Sequence, residues 1–212
     1  MKIMAATTPG RTQGLLQQAE RQNDSSTPED SSVTVATRVF PSVEAAEKAF
    51  SRFHKKLLQI ERWNAHSEIS SFELFDKSGG AQNEKIARVG DYIKVTLPGS
   101  GKDDWVKITE IDESPDEIIL IVKPSHDPTS AENAETTSHF FTAAATNNLC
   151  LQKENSTINF YTVGLNEKAN TTETGGILET VRNYATANLG CFLGIQKAHW
   201  KTFCDNFLEI EK

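Results

Sequence analysis

The spacing of apolar residues changes twice along this chain, and those changes limit which elements it can form. Between Ser42 and Trp63 the apolar positions Ala46, Ala49, Phe50, Phe53, Leu57 and Ile60 recur at steps of three and four. That spacing gathers them on one face of a helix. Ser42 stands at the N-cap position, and Glu44 and Glu47 follow where the helix dipole favours acids. The pattern predicts an amphipathic helix of about five turns with a break near Arg62, closed by Trp63.

From Ile69 to Asn166 the period falls to two and turn residues recur. The predicted strands are Ile69–Phe75, Tyr92–Leu97, Trp105–Ile111, Glu117–Lys123, His139–Gln152 and Ile158–Leu165. Ser114, Pro115 and Asp116 make one tight turn, and Glu154, Asn155 and Ser156 make another. Short turns between strands mean antiparallel pairing. A further strand precedes the helix, where Val33, Val35 and Val39 alternate with Thr34, Ala36 and Arg38 up to Pro41.

Past Gly175 and Gly176 the helical period returns through Ile177, Val181, Tyr184, Phe192, Trp200, Phe203, Phe207 and Ile210. A straight helix of that length would run about 50 Å, so a bend is expected at Gly190 or Gly194. The order is strand, one or two helices, about six further strands and a long C-terminal helix. This is an α+β fold with an antiparallel sheet of about seven strands.

The 212 residues suit one domain with an appendage. Residues Thr7 to Ser32 offer only Leu15 and Leu16 as large apolar groups. Residues 1–32 are therefore expected to be a disordered or weakly helical tail, with a short helix over Gln13–Gln22, and residues 33–212 to be the domain. The 22 basic residues fall short of the 29 acidic ones, so no excess positive charge is available for a phosphate backbone and no nucleic-acid partner is expected. No apolar run approaches the roughly 20 residues of a membrane span. Met1–Ala6 is too short for the core of a signal peptide, and a cytoplasmic location is expected. Cys150, Cys191 and Cys204 form no C-x-x-C pair and read as buried thiols.

Several chemistries find no motif. His54, His66, His126, His139 and His199 show no metal-ligand spacing among themselves or with the cysteines. The Gly99-Ser100-Gly101-Lys102 stretch lacks the first glycine of a phosphate loop, because position 96 is Thr96, and Asp103 replaces its Ser or Thr. Neither a metal nor another cofactor is expected. What remains is an inventory of aromatics: Trp63, Phe72, Trp105, Phe140, Phe160, Tyr184 and Trp200. Alternation places Trp105 on the outer sheet face with Lys107 and Thr109.

The element order over Val33–Lys212 resembles the START-like superfamily, also called SRPBCC or helix-grip proteins. Two local patterns carry the resemblance further. Glu61-Arg62-Trp63-Asn64 matches the Trp-containing turn that ends the first helical segment. His199-Trp200-Lys201-Thr202-Phe203 followed by Phe207-Leu208-Glu209 looks like the ending common in the heat-shock ATPase activator branch, with Phe203 and Phe207 for its leucines and altered spacing.

The resemblance implies a curved sheet gripping the C-terminal helix with a cavity between them. It also implies a small apolar or amphipathic ligand there, held by Trp63, Phe72, Ile93, Ile108, Phe140, Phe160, Tyr184 and Trp200. Polar candidates for the same space are His139, Tyr161 and Tyr184. Non-catalytic binding is the leading expectation. A cyclase- or hydratase-type enzyme and a protein-interaction module are the alternatives.

Overall fold

The computed structural model describes residues 10–24, 31–68, 70–81, 84–96, 103–130, 137, 139, 141–168 and 198–210. Helix α1 (Arg11–Asn23) is followed by strand β1 (Ser31–Val39), helix α2 (Val43–Leu58) and a 3-10 helix (Ile60–Ala65). Strands β2 (Ser71–Phe75), β3 (Tyr92–Thr96), β4 (Asp103–Ser114), β5 (Glu117–Pro124), β6 (Thr146–Glu154) and β7 (Thr157–Leu165) come next. Helix α3 covers residues 198–207. The upstream part of the expected C-terminal helix, including Tyr184, Gly190, Cys191 and Gly194, lies outside the described residues, as does Phe140.

The seven strands form one curved antiparallel sheet in the order β1-β7-β6-β5-β4-β3-β2. Consecutive strands from β2 to β7 are neighbours, so short connections set most of the topology, and β1 closes the order by pairing with β7. A bulge between Ile108 and Glu110 shifts the register of β4 on β5.

Helix α2 begins as its sequence requires, with the Ser42 side chain accepting a hydrogen bond from Ala45 N at 3.1 Å. Its buried face is Ala46, Ala49, Phe50, Phe53, Lys56 and Leu57. The α-helix ends at Leu58, so the break falls at Gln59 rather than at Arg62. The strand expected from His139 begins only at Thr146, because Ala145 N bonds Thr142 O and turns the chain first.

Strand β1 directs its small residues inward. Thr34 and Ala36 are buried, whereas Val35 and Val39 are 39% and 70% exposed on the other face. Ala36 pairs with Phe160, and its small side chain leaves space for the rings packed over that residue.

The segment before β1 does more than trail. Helix α1 lies on the convex face, with Ala19, Leu15 and Leu16 against Val33, Tyr161, Val163 and Leu165. Leu15 also touches the group of Ile119, Ile121 and Cys150. Thr12 N donates to Glu117 at 3.1 Å, and Arg11 pairs with Glu110 and Asp112. The ordering entropy of the helix is offset by apolar surface that the sheet supplies, which composition of the segment alone does not reveal. Trp105 is on the convex face, as alternation predicts, but it packs edge-on against Phe75 with ring centroids 5.0 Å apart, while α1 sits over β1 and β7.

Helix α3 ends in a Schellman motif. Ile210 N bonds Asp205 O and Glu209 N bonds Asn206 O, with Glu209 at φ 56° in the position that usually takes glycine. The carbonyls of Phe207 and Leu208 accept from Lys56 Nζ and from the Arg38 guanidinium, respectively.

Candidate functional site

Cross-strand pairing arranges the concave face in rows. Ala36, Phe160, Leu151 and Ile118 form one row, and Thr34, Thr162, Leu149 and Leu120 form the next. The row beyond runs Ser32, Gly164, Asn147, Val122 and Ile108. Helix α3 packs on the first two. Phe207 stacks on Phe160 at 4.4 Å between centroids, and the Cys204 thiol is hydrogen-bonded with Thr162.

Three of the residues expected at the site meet beneath α3. Trp63 packs edge-on against Phe72 at 5.4 Å and against Phe203 at 5.9 Å, and Phe160 contacts Phe203 and Phe207. Trp63 is held from behind as well, its indole N–H donating to Leu57 O at 3.2 Å. Ile93 and Ile108 lie further across the same face, both buried. Trp200 is half-buried and meets Phe203 edge-on at 5.5 Å. Phe140 and Tyr184 are outside the described residues.

Of the polar candidates, Tyr161 points the other way. It packs with the convex groups beside α1, because alternation along β7 turns its neighbours Phe160 and Thr162 inward. His139 Nδ1 accepts a hydrogen bond from Phe141 N at 2.9 Å, and burial lowers its pKa to about 4, so the ring is neutral at pH 7.

The polar group at the row's end is one that periodicity passes over. Asn166, at φ 53°, turns the chain after β7 and returns Glu167 over the strand it has just left. The Glu167 carboxylate occupies the space a side chain at Gly164 would fill: a Cβ there would lie 2.1 Å from Oε1. Glu167 is 8% exposed, and burial holds its carboxyl above the usual carboxylate range, opposed by a hydrogen bond from Ser32. Among the described residues no cation forms a salt bridge with it. On the other side of Gly164, the Asn147 Oδ1 atom is buried and has no hydrogen-bond partner among the described residues.

Two further polar clusters frame α3. Lys56 reaches Glu209 at 3.3 Å, and Arg52 reaches the same carboxylate at 2.6 Å. Burial lowers the Lys56 pKa against the pull of Glu209. At the opposite end His199 Nε2 lies 3.3 Å from Ser70 Oγ, and burial lowers its pKa. Among the described residues no three His, Cys, Asp or Glu side chains are placed to hold a metal ion. No described helix is long and apolar enough to cross a membrane.

A seven-stranded curved antiparallel sheet with a C-terminal helix packed on its concave face is a fold of the helix-grip type. No protein-family model matches the chain, and no curated protein matches it. Solved structures do. A hypothetical protein from Helicobacter pylori is similar at a TM-score of 0.50 and 9% identity, over 100% of this chain and 99% of that one. A protein from Thermus thermophilus follows at 0.42 and 12% identity, over 84% and 95%. Ginseng major latex-like protein 151 gives 0.35 and 13% identity, over 80% and 98%. The first of these likenesses supports the fold, and none of them bears on the chemistry.

Proposed function

We propose that this protein binds a small apolar or amphipathic molecule between the concave face of the sheet and the C-terminal helix. The observation that carries the reading is the row through Ile108, Val122, Asn147, Gly164 and Ser32, apolar at one end and polar at the other, with Asn147 Oδ1 buried and unpartnered. An unsatisfied buried acceptor costs about 1–3 kcal/mol, and a ligand donor would remove that cost. Ile93 and Trp200 extend the apolar wall, and Trp63, Phe72 and Phe160 support it from beneath α3. Apolar walls with a few convergent polar groups are the usual form of a small-molecule site.

The interaction-module reading draws on the α3 pattern, but Phe203 and Phe207, which carry that pattern, are 1% and 0% exposed and hold the helix to the sheet. An enzymatic reading would use the Glu167 carboxyl as its proton donor. Titration of the full chain with anilinonaphthalene sulfonate, followed by competition with octanol, tests the binding reading. Saturable dye enhancement that octanol displaces is expected. A chain that shows no saturable binding of either would overturn it.

A further inference from the structure

The polar end of the concave row has a chemistry more specific than general amphipathic binding, and its selectivity rests on the ligand-binding reading above. Ser32 and Asn147 flank Gly164 from the two neighbouring strands, each about 5 Å away across the ladder. Glu167 stands above the glycine between them, in a space that only a residue without a Cβ leaves open. The side chains therefore converge on one place, and they do so on rigid strands apart from Glu167 itself.

We propose that Ser32, Asn147 and Glu167 form a subsite for a neutral hydroxyl group on an apolar body, that is, an alcohol-headed amphiphile. A hydroxyl both donates and accepts. It gives its proton to Asn147 Oδ1, the buried acceptor that lacks a partner among the described residues, and accepts from the Glu167 carboxyl, whose burial raises its pKa and so favours the protonated, donating form. A carboxylate head fits poorly, since it brings no proton for Asn147 Oδ1 and would bury its charge where, among the described residues, no cation is paired with Glu167. An ammonium head supplies donors only, and pairing it with Glu167 would bury two charges. The apolar body then lies along Val122 and Ile108, the continuation of the same row, both of them buried, so the groups packed over them must part to admit it.

The test is displacement of anilinonaphthalene sulfonate at pH 7 by octanol, octanoate and octylamine, which share one chain length and differ in the head. Wild-type protein is expected to bind octanol about tenfold or more tightly than the other two, the scale of one misplaced buried polar group. Glu167→Gln, close in shape and carrying an amide N–H in place of the acid O–H, is expected to keep octanol within about threefold. Asn147→Leu is expected to lose the preference for octanol. Equal displacement by all three, tighter binding of octanoate to wild type, or a preference unmoved by both substitutions would overturn the subsite. If dye binds and octanol alone fails to displace it, the subsite is likewise wrong while ligand binding stands. If neither the dye nor any of the three binds the wild-type chain, the ligand-binding reading fails and takes the subsite with it.

Discussion

Lys56, buried on α2, donates from its ammonium to the backbone carbonyl of Phe207, the last helical residue of α3. The same ammonium lies 4.6 Å from the centroid of the Phe207 ring and 4.7 Å from that of Phe53. One side chain thus caps the end of α3, faces the rings packed beneath it and, through Glu209, joins the helix end to Arg52 and Arg38. It ties α2 to the helix that the sheet grips.

Replacing Lys56 with Met keeps most of its volume while leaving the Phe207 carbonyl without this donor. A loss of about 2–3 kcal/mol in unfolding free energy is expected, the range for an unmade buried hydrogen bond to a charged group. Chemical denaturation measures it. A change within ±0.5 kcal/mol, roughly the scale of a surface substitution, would show that the contact contributes nothing.

Gly164→Ala puts a methyl group where the Glu167 carboxylate sits, and either the carboxylate or the strand must yield. The expected cost is about 1–3 kcal/mol, as for other overpacked sites. In a Glu167→Ala background the same change should cost much less. A double-mutant cycle with no coupling between the two positions would contradict the placement of Glu167.

The Glu167 carboxyl also sets a pH dependence. Its pKa is raised above the usual 4.5 in the folded chain, so the folded state holds this proton more tightly than the unfolded one. The stability it contributes is complete below 4.5 and is lost as pH rises through the folded value. The stability of wild type relative to Glu167→Gln should therefore fall with rising pH across that window. A difference that rises with pH would reverse the assignment.

The thiols of Cys150 and Cys204 are buried, and burial pushes each up to about 12. At pH 8 only about one thiol in ten thousand is then ionised, and iodoacetamide should leave both unmodified until the chain unfolds. Peptide mapping by mass spectrometry distinguishes them. Rapid alkylation of Cys204 in the native protein would show that α3 does not stay seated.

Helix α1 covers Ile119, Cys150, Val163 and Leu165 on the convex face. Deleting residues 1–24 should lower the denaturation midpoint and increase aggregation, since an apolar patch is uncovered. The pairs of Arg11 with Glu110 and Asp112 are exposed, so Arg11→Ala alone should cost under about 1 kcal/mol. An unchanged midpoint for the deletion would make the helix an ornament of the sheet rather than a layer of it.

What could be read in the residues beforehand was whatever depends on near neighbours. Ser42 caps α2 because its partner lies three residues on, and Tyr92–Thr96 alternates because pleating is local. The facing of β1 was not legible. Val33, Val35 and Val39 are the more apolar set, yet the inward positions belong to Thr34 and Ala36, since the rings of distant helices fill that space. Seating α1 required knowing that β7 turns Val163 and Leu165 outward. Glu167 was missed because a polar residue just past a strand reads as loop. The available signal was Gly164, a glycine within an apolar strand, which marks a place where something approaches closely.

Binding of a ligand on the concave face is tested most directly by methyl-resolved NMR of the full chain titrated with octanol. Ile93, Ile108 and Val122 point to the concave side, and Ile119 and Ile121 point to the convex side of the same sheet. Saturable shifts confined to the methyls of Ile93, Ile108 and Val122 are predicted, with Ile119 and Ile121 unmoved. Shifts at Ile119 and Ile121 alone, or no saturable shift at any of the five, would contradict the account.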